Sequence, residues 1–185
     1  NRDIVRNPSE SEILWQVSSA LLYGCRGIQY FAFLKPFEKA LEGAQFYGCL
    51  MDDNGNVTEK MSVVKNINVH LNVIGSDIVN GKHLGIMGEA AKQHHVPSED
   101  MLLSCGPLRE VEMPCIAGCF QTVNGYIYYV MNPSLVEDAE ARLHFCEDVT
   151  LKVVFRGKSS FCSSNLFAVR LAPGEGVLVR IEQIG

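Results

Sequence analysis

The chain has 185 residues, of which 47% are hydrophobic and 20% charged, and a formal net charge of −5. A chain of this length buries a core without disulfide or metal staples, and its acidic balance supplies no basic field for phosphates, which excludes a nucleic-acid-binding class. Seven cysteines, odd in number and without a Cys-x-x-Cys pair, argue against a disulfide scaffold or a zinc knuckle and point to free thiols in a reducing, cytoplasmic setting. No apolar run reaches membrane-spanning length, so no membrane partner is expected.

In chain order, Ser9 and Glu12 form a capping box after Pro8, and Ile13, Leu14, Val17, Ala20 and Leu21 follow at helical spacing. Gly24 ends this helix. Gly27 to Phe33 is a short β-rich run bounded by Lys35-Pro36 and predicts a strand. A polar, irregular loop continues through Gly55. Asn56 and Glu59 make a second capping pair. Met61, Val64, Ile67, Leu71, Ile74 and Ile78 then mark one face of a helix from about 57 to 79.

Residues 81–113 are mixed in pattern, carry His83, His94, His95, Pro97 and Pro107, and predict a connecting segment. From Pro114 the period changes to that of strands. Ile116 to Val123, the turn Asn124-Gly125, and Tyr126 to Met131 predict a hairpin, which Asn132-Pro133-Ser134 breaks. Further strands are expected at 140–146, 149–156, 165–171 and 176–183. Strands at this spacing with no intervening helix predict an antiparallel sandwich over 114–185.

The fold class is therefore α+β, a helix–strand–helix segment over 1–80 followed by an all-β antiparallel sandwich. The first segment poses a physical problem. One strand between two helices leaves its backbone groups unpaired, and both helices carry apolar stripes in need of cover. The cover comes from the second half, from a larger α/β protein of which this is a part, or from a second copy in a homo-oligomer. A chain that begins at Asn1 rather than Met favours the second expectation.

Residues 14–75 resemble the end of the barrel in glycoside hydrolase family 42 β-galactosidases. The carrying residues are the helix Leu14 to Tyr23 and the aromatic strand end Tyr30-Phe31. They continue with the loop Glu42-Gly43-Ala44-Gln45-Phe46-Tyr47-Gly48 and the turn Asp53-Asn54-Gly55. The second half is similar to the β-domains that close many glycosidases. It shares with them Gly118-Cys119-Phe120, Tyr128 to Ser134 and Leu171-Ala172-Pro173-Gly174-Glu175-Gly176. The resemblance implies that 1–80 is the last helix–strand–helix remnant of a (β/α)₈ barrel, and that the full protein hydrolyses glycosidic bonds in an oligosaccharide or glycoside substrate. The family's Trp-Arg pair is replaced by Ala32-Phe33, its loop Glu by Gln45 and its His by Tyr47.

Retaining glycosidases use two carboxyl groups as acid/base and nucleophile. The resemblance places both upstream of Asn1, so no catalytic residue is assigned here and the chain alone is expected to be inactive. It implies that Tyr30, Phe31, Gln45 and Tyr47 bind substrate, since barrel active sites lie at the carboxyl ends of the strands. Glu38, Glu42, Asp52 and Asp53 read as solvated loop carboxylates. His94-His95 with Glu99 and Asp100 lack a chelating geometry, and no metal or cofactor is expected. The alternative is a non-catalytic sandwich, either structural or carbohydrate-binding. Tyr126 and Tyr128 then share one strand face and Tyr129 takes the other, one face core and one face solvent.

Overall fold

The computed structural model describes residues 7–34 and 49–182. The chain is α+β, with one antiparallel seven-stranded sheet and few helices, an arrangement compatible with a sandwich. Helices α1 (Glu10–Leu22) and α2 (Glu59–Asn80) come first, then β1 (Lys82–Met87) and a single helical turn, α3 (Ala90–Gln93). Strands β2 (Leu108–Val111), β3 (Ile116–Thr122), β4 (Gly125–Met131), β5 (Ala139–Phe155), β6 (Lys158–Leu171) and β7 (Gly176–Glu182) complete it. The sheet runs β1-β3-β4-β7-β5-β2, with β6 on β5.

The first helix starts where the capping box predicts. The Ser9 side chain accepts from the Glu12 N–H, and Glu12 reaches back to the Ser9 N–H. At the second helix the expected Asn56–Glu59 pair does not form. Thr58 is the N-cap, and its hydroxyl donates to the Cys49 carbonyl at 2.7 Å. Asn56 is instead held by Asp52, which accepts from the Asn56 N–H at 2.8 Å and from its amide at 3.2 Å. These bonds hold the exposed Asp52 carboxyl below its usual range.

Gly27 to Phe33 forms no strand. It is extended, irregular chain whose last carbonyls, of Ala32 and Phe33, accept from the Leu50 and Met51 N–H groups at 3.3 and 2.9 Å, next to a parallel β-bridge of Leu34 to Met51. Among the described residues, no strand of the sheet pairs with it. The segment 81–113, expected to connect, supplies two strands. β1 pairs with β3 and β2 with β5, so strand pairing is decided by the partner's edge rather than by the weak local pattern.

The hairpin forms one residue earlier than its turn signal. Thr122 pairs with Gly125, leaving Val123-Asn124 as the loop, because the Thr122 hydroxyl accepts from the Asn124 N–H at 3.2 Å. The expected strands at 140–146 and 149–156 are one long β5, bent between His144 and Val149. Before the bend β5 pairs with β2, after it with β7. The bend folds the sheet over a core in which Leu108, Ala141 and Leu143 meet Cys119, Tyr128, Val130 and Val179.

The other face of the sheet is covered by the helices. Phe120, Ile127, Tyr129, Val154 and Leu178 bury against Val17, Leu21, Ile67, Ile74 and Ile78. Strand alternation thus serves two cores at once: Tyr128 and Val130 enter the first, Ile127 and Tyr129 the second. The expectation of one solvated face is corrected here, because Tyr128 and Tyr129 are both buried. Each fully covered Ile, Leu or Val of α2 contributes roughly 1.5–3 kcal/mol, which is the cover that its stripe needed. Polar ties fix the docking. Trp15 donates to the Pro133 carbonyl at 3.1 Å, and Arg180 pairs with Asp77 at 3.1 Å. Cys25, Cys105, Cys115, Cys119, Cys146 and Cys162 are free thiols. Among the described residues, no helix is long and apolar enough to cross a membrane.

Close approach of α1 requires Gly118. A Cβ there would strike the Leu22 backbone carbonyl. Gly118→Ala should therefore destabilise the chain by about 1–3 kcal/mol. Urea unfolding measures this; a midpoint unchanged from wild type would mean that α1 does not rest on β3.

Candidate functional site

Two clefts flank α1. The smaller, about 300 Å³, is lined by Ile13, Gln16, Val17, Tyr30, Phe31 and Lys60 among others. Both described residues expected to contact substrate lie here. The Tyr30 hydroxyl donates to the Asn68 carboxamide oxygen at 3.2 Å, and partial burial pushes its pKa up. Phe31 is 76% exposed, so its ring faces solvent in this chain. Gln45 and Tyr47 lie outside the described residues, as do Glu38 and Glu42. Lys60 is buried here, its stem packed inward and its ammonium 3.5 Å from Glu59.

The larger cleft, about 520 Å³, lies between α1, α2 and the sheet. Its polar groups come from distant parts of the chain: Ser18 on α1, His70 on α2, Tyr129 on β4, Arg156 in the β5–β6 turn, and Glu175 before β7. Glu175 is 8% exposed and anchors the set. Its carboxylate accepts from Arg156 Nε at 2.7 Å, from the second guanidinium nitrogen at 3.0 Å and from the Ala172 N–H at 2.9 Å. A charge this buried persists because it is paired and hydrogen-bonded. The same pairing raises the Arg156 pKa.

Tyr129 reaches the cleft floor from the buried part of β4, with its hydroxyl 3.3 Å from Ser18 Oγ. Burial pushes its pKa up to about 12, against the opposing bond from Ser18. A Cβ at Gly176 would collide with this hydroxyl, so the glycine keeps the floor open. His70 accepts the Gly157 N–H on Nδ1 at 3.3 Å, which assigns its proton to Nε2. That Nε2 is buried, and no partner faces it among the described residues. Burial pulls the His70 pKa down, with the Glu175 charge pushing in the opposite direction.

The sequence reading did not single out His70, Arg156 or Ser18. A signal existed for His70, which falls three residues after Ile67 and four before Ile74 and so shares their inward face. Arg156 had none, since only folding brings it to Glu175. Among the described residues, no group of three or more His, Cys, Asp or Glu side chains is placed to hold a metal ion. No family model, curated protein or solved structure matches the chain.

Two outcomes follow. A double-mutant cycle of Arg156→Ala and Glu175→Gln should return a coupling of about 1–3 kcal/mol in unfolding free energy, while additive effects would show the pair to be slack. The His70 effect is pH-dependent. Its folded pKa lies below the ordinary 6.5, so the unfolded chain binds more protons near and below that value, and stability falls on acidification. Melting temperature should drop between about pH 7.5 and about pH 5.5, and His70→Gln should flatten that drop. Superimposable profiles would count against a buried neutral imidazole.

Proposed function

We propose that this chain is the C-terminal portion of a retaining, β-galactosidase-like glycoside hydrolase. In this reading α1, the run Gly27 to Phe33 and α2 close the (β/α)₈ barrel, and the sheet braces it. The observation that carries the reading is the state of that run. It leaves α1 extended, forms no ladder of its own among the described residues, and ends beside Phe33 and Leu34, which are 54% and 56% exposed. A last barrel strand separated from its neighbours would present itself this way. The family resemblance over residues 14–75 points in the same direction, and so does the order helix, aromatic run, long loop, helix.

In the intact enzyme, Tyr30 and Phe31 would sit at the carboxyl end of the last strand, with the loop carrying Gln45 and Tyr47 walling the sugar pocket. An aromatic ring there stacks on a sugar, and Gln45 and Tyr47 hydrogen-bond its hydroxyls. The two catalytic carboxyl groups would come from upstream strands. The bracing role rests on the shared core between helices and sheet, where Ile74, Phe120 and Leu178 are fully buried. The rival carbohydrate-binding reading would need Tyr126, Tyr128 and Tyr129 as an exposed platform, but Tyr128 and Tyr129 are buried and Tyr126 is half-buried.

The test compares this chain with the same gene product extended upstream. The longer protein should cleave 4-nitrophenyl glycosides and this chain should not. In the longer protein, Tyr30→Ala should lower kcat/KM by roughly tenfold or more, equivalent to about 1.4 kcal/mol. Turnover by the pure 185-residue chain that disappears on changing a single Asp or Glu would overturn the proposal, and so would an upstream region that supplies no barrel.

A further inference from the structure

We propose that the outer edge of β6 is the contact through which two copies of this chain join, strand to strand, in a two-fold dimer centred on Cys162. The inference does not rest on the glycosidase reading, because it uses only β6 and the strands beside it.

β6 is 14 residues long and pairs, among the described residues, only with β5. The turn before it fixes which of its backbone groups are spent. Phe155 pairs with Lys158 across Arg156-Gly157, whose φ angles of 50° and 74° are both left-handed. In a two-residue turn of this kind the closing pair is hydrogen-bonded, and bonded and non-bonded pairs then alternate along the ladder. Lys158, Ser160, Cys162 and Ser164 therefore direct their N–H and C=O groups to β5. Ser159, Phe161, Ser163 and Asn165 direct theirs outward. The side chains agree, since Thr150 and Ser163, a non-bonded pair in this alternation, approach through their hydroxyls at 3.0 Å.

The other two edges of the sheet are protected. β2 has four residues, and its middle pair, Arg109-Glu110, is charged and exposed. β1 shifts register between His83 and Gly85, and its Ile86 also bridges to Met101. β6 has neither device. From Ser159 to Val169 it carries no charge and no proline. A long neutral edge is a template for another strand.

The symmetry of β6 names that strand as a second copy. In an antiparallel pair centred on Cys162, Ser159 and Phe161 of one copy meet Asn165 and Ser163 of the other, and the reverse. All four outward residues of each copy then find partners. Lys158 falls opposite Leu166 of the second copy and Arg170 lies beyond the overlap, so no like charges meet. Phe161, 67% exposed, stands beside Lys152 on the helix-bearing face, to which Val154 also belongs. Across the two-fold the two Phe161 residues are diagonal neighbours about 7–8 Å apart, within reach of aromatic rings. An unrelated strand would meet the backbone groups but not this pairing of side chains. On the other face, the two exposed Cys162 residues stand directly opposite, their Cα atoms about 4.5 Å apart, inside the range that a disulfide spans.

Sedimentation velocity and amide hydrogen exchange on the 185-residue chain are the test. A reversible dimer is expected at about 200 µM, with exchange at Ser159, Phe161, Ser163 and Asn165 slowed about tenfold relative to dilute protein and exchange at Ser160 and Cys162 unchanged. Diamide, which takes two electrons and two protons from a pair of thiols and becomes the hydrazine, should link the dimer through Cys162. Cys162→Ser should abolish the link and keep the dimer. Cys162→Lys, which sets like charges across the two-fold, should raise the dissociation constant about tenfold or more. Ser163→Pro removes an outward donor and spares the ladder to β5, and should do the same. The exchange pattern needs no variant, so a variant that fails to fold does not remove the test. A monomer at that concentration, protection confined to other residues, a dimer that diamide does not link through Cys162, or one that both folded variants leave intact would overturn the proposal.

Discussion

Asn132 is wholly buried, and the junction of sheet, helix and cleft depends on how its polar groups are met. Its amide donates to the Glu137 carbonyl at 2.8 Å, to that of Ala172 at 3.2 Å and to that of Leu171 at 3.4 Å. Its side-chain oxygen accepts the Ser134 N–H at 3.0 Å, and its own N–H goes to the Glu175 carbonyl at 2.9 Å. One side chain thereby locks the chain reversal after β4 to the turn before β7. A buried amide with all its groups paired specifies one geometry, because any other leaves donors or carbonyls unmet. The adjoining Pro133 carbonyl receives Trp15, so α1 is seated by the same clasp. Glu175 follows from it too, since the turn held by Asn132 points that carboxylate inward to Arg156.

From this clasp the layering follows. β4 and β7 lie in the middle of the sheet and are buried on both faces, one under the folded-over β2, β5 and β6 and the other under α1 and α2. The helices are therefore part of the core and not an appendage. Removing them would expose Phe120, Ile127 and Leu178, a patch too apolar to face water. This answers the problem of the uncovered helix stripes from within the chain. It does not provide for Gly27 to Phe33, whose backbone stays outside the sheet. The contrast between a well-covered α2 and an unladdered aromatic run gives the barrel proposal its physical content.

The larger cleft arises from the same packing. Two helices crossing a sheet leave a wedge near their open ends. Here that wedge collects His70, Glu175, Arg156, Tyr129 and Ser18 among aliphatic walls.

The sequence by itself determined what depends on neighbours in the chain. The Ser9–Glu12 box, the period of α1 and α2, the β3–β4 hairpin and the strand character of β5 to β7 are set by local sterics, capping and alternation, and each was legible. Helix N-termini were readable only where the cap has no competitor: Asn56 was taken by Asp52, and Thr58 took its place. What only the tertiary structure decided was partnership. A strand is completed by another strand's edge: among the described residues Gly27 to Phe33 pairs with no strand of the sheet, while β1 and β2 gained theirs within a segment of weak pattern. Of the residues expected to bind substrate, Tyr30 and Phe31 share one cleft, a nearness already implied by adjacency. The groups of the larger cleft are separated by as many as 157 positions, from Ser18 to Glu175. No local rule joins them, because a buried carboxylate finds its guanidinium only after the core has closed.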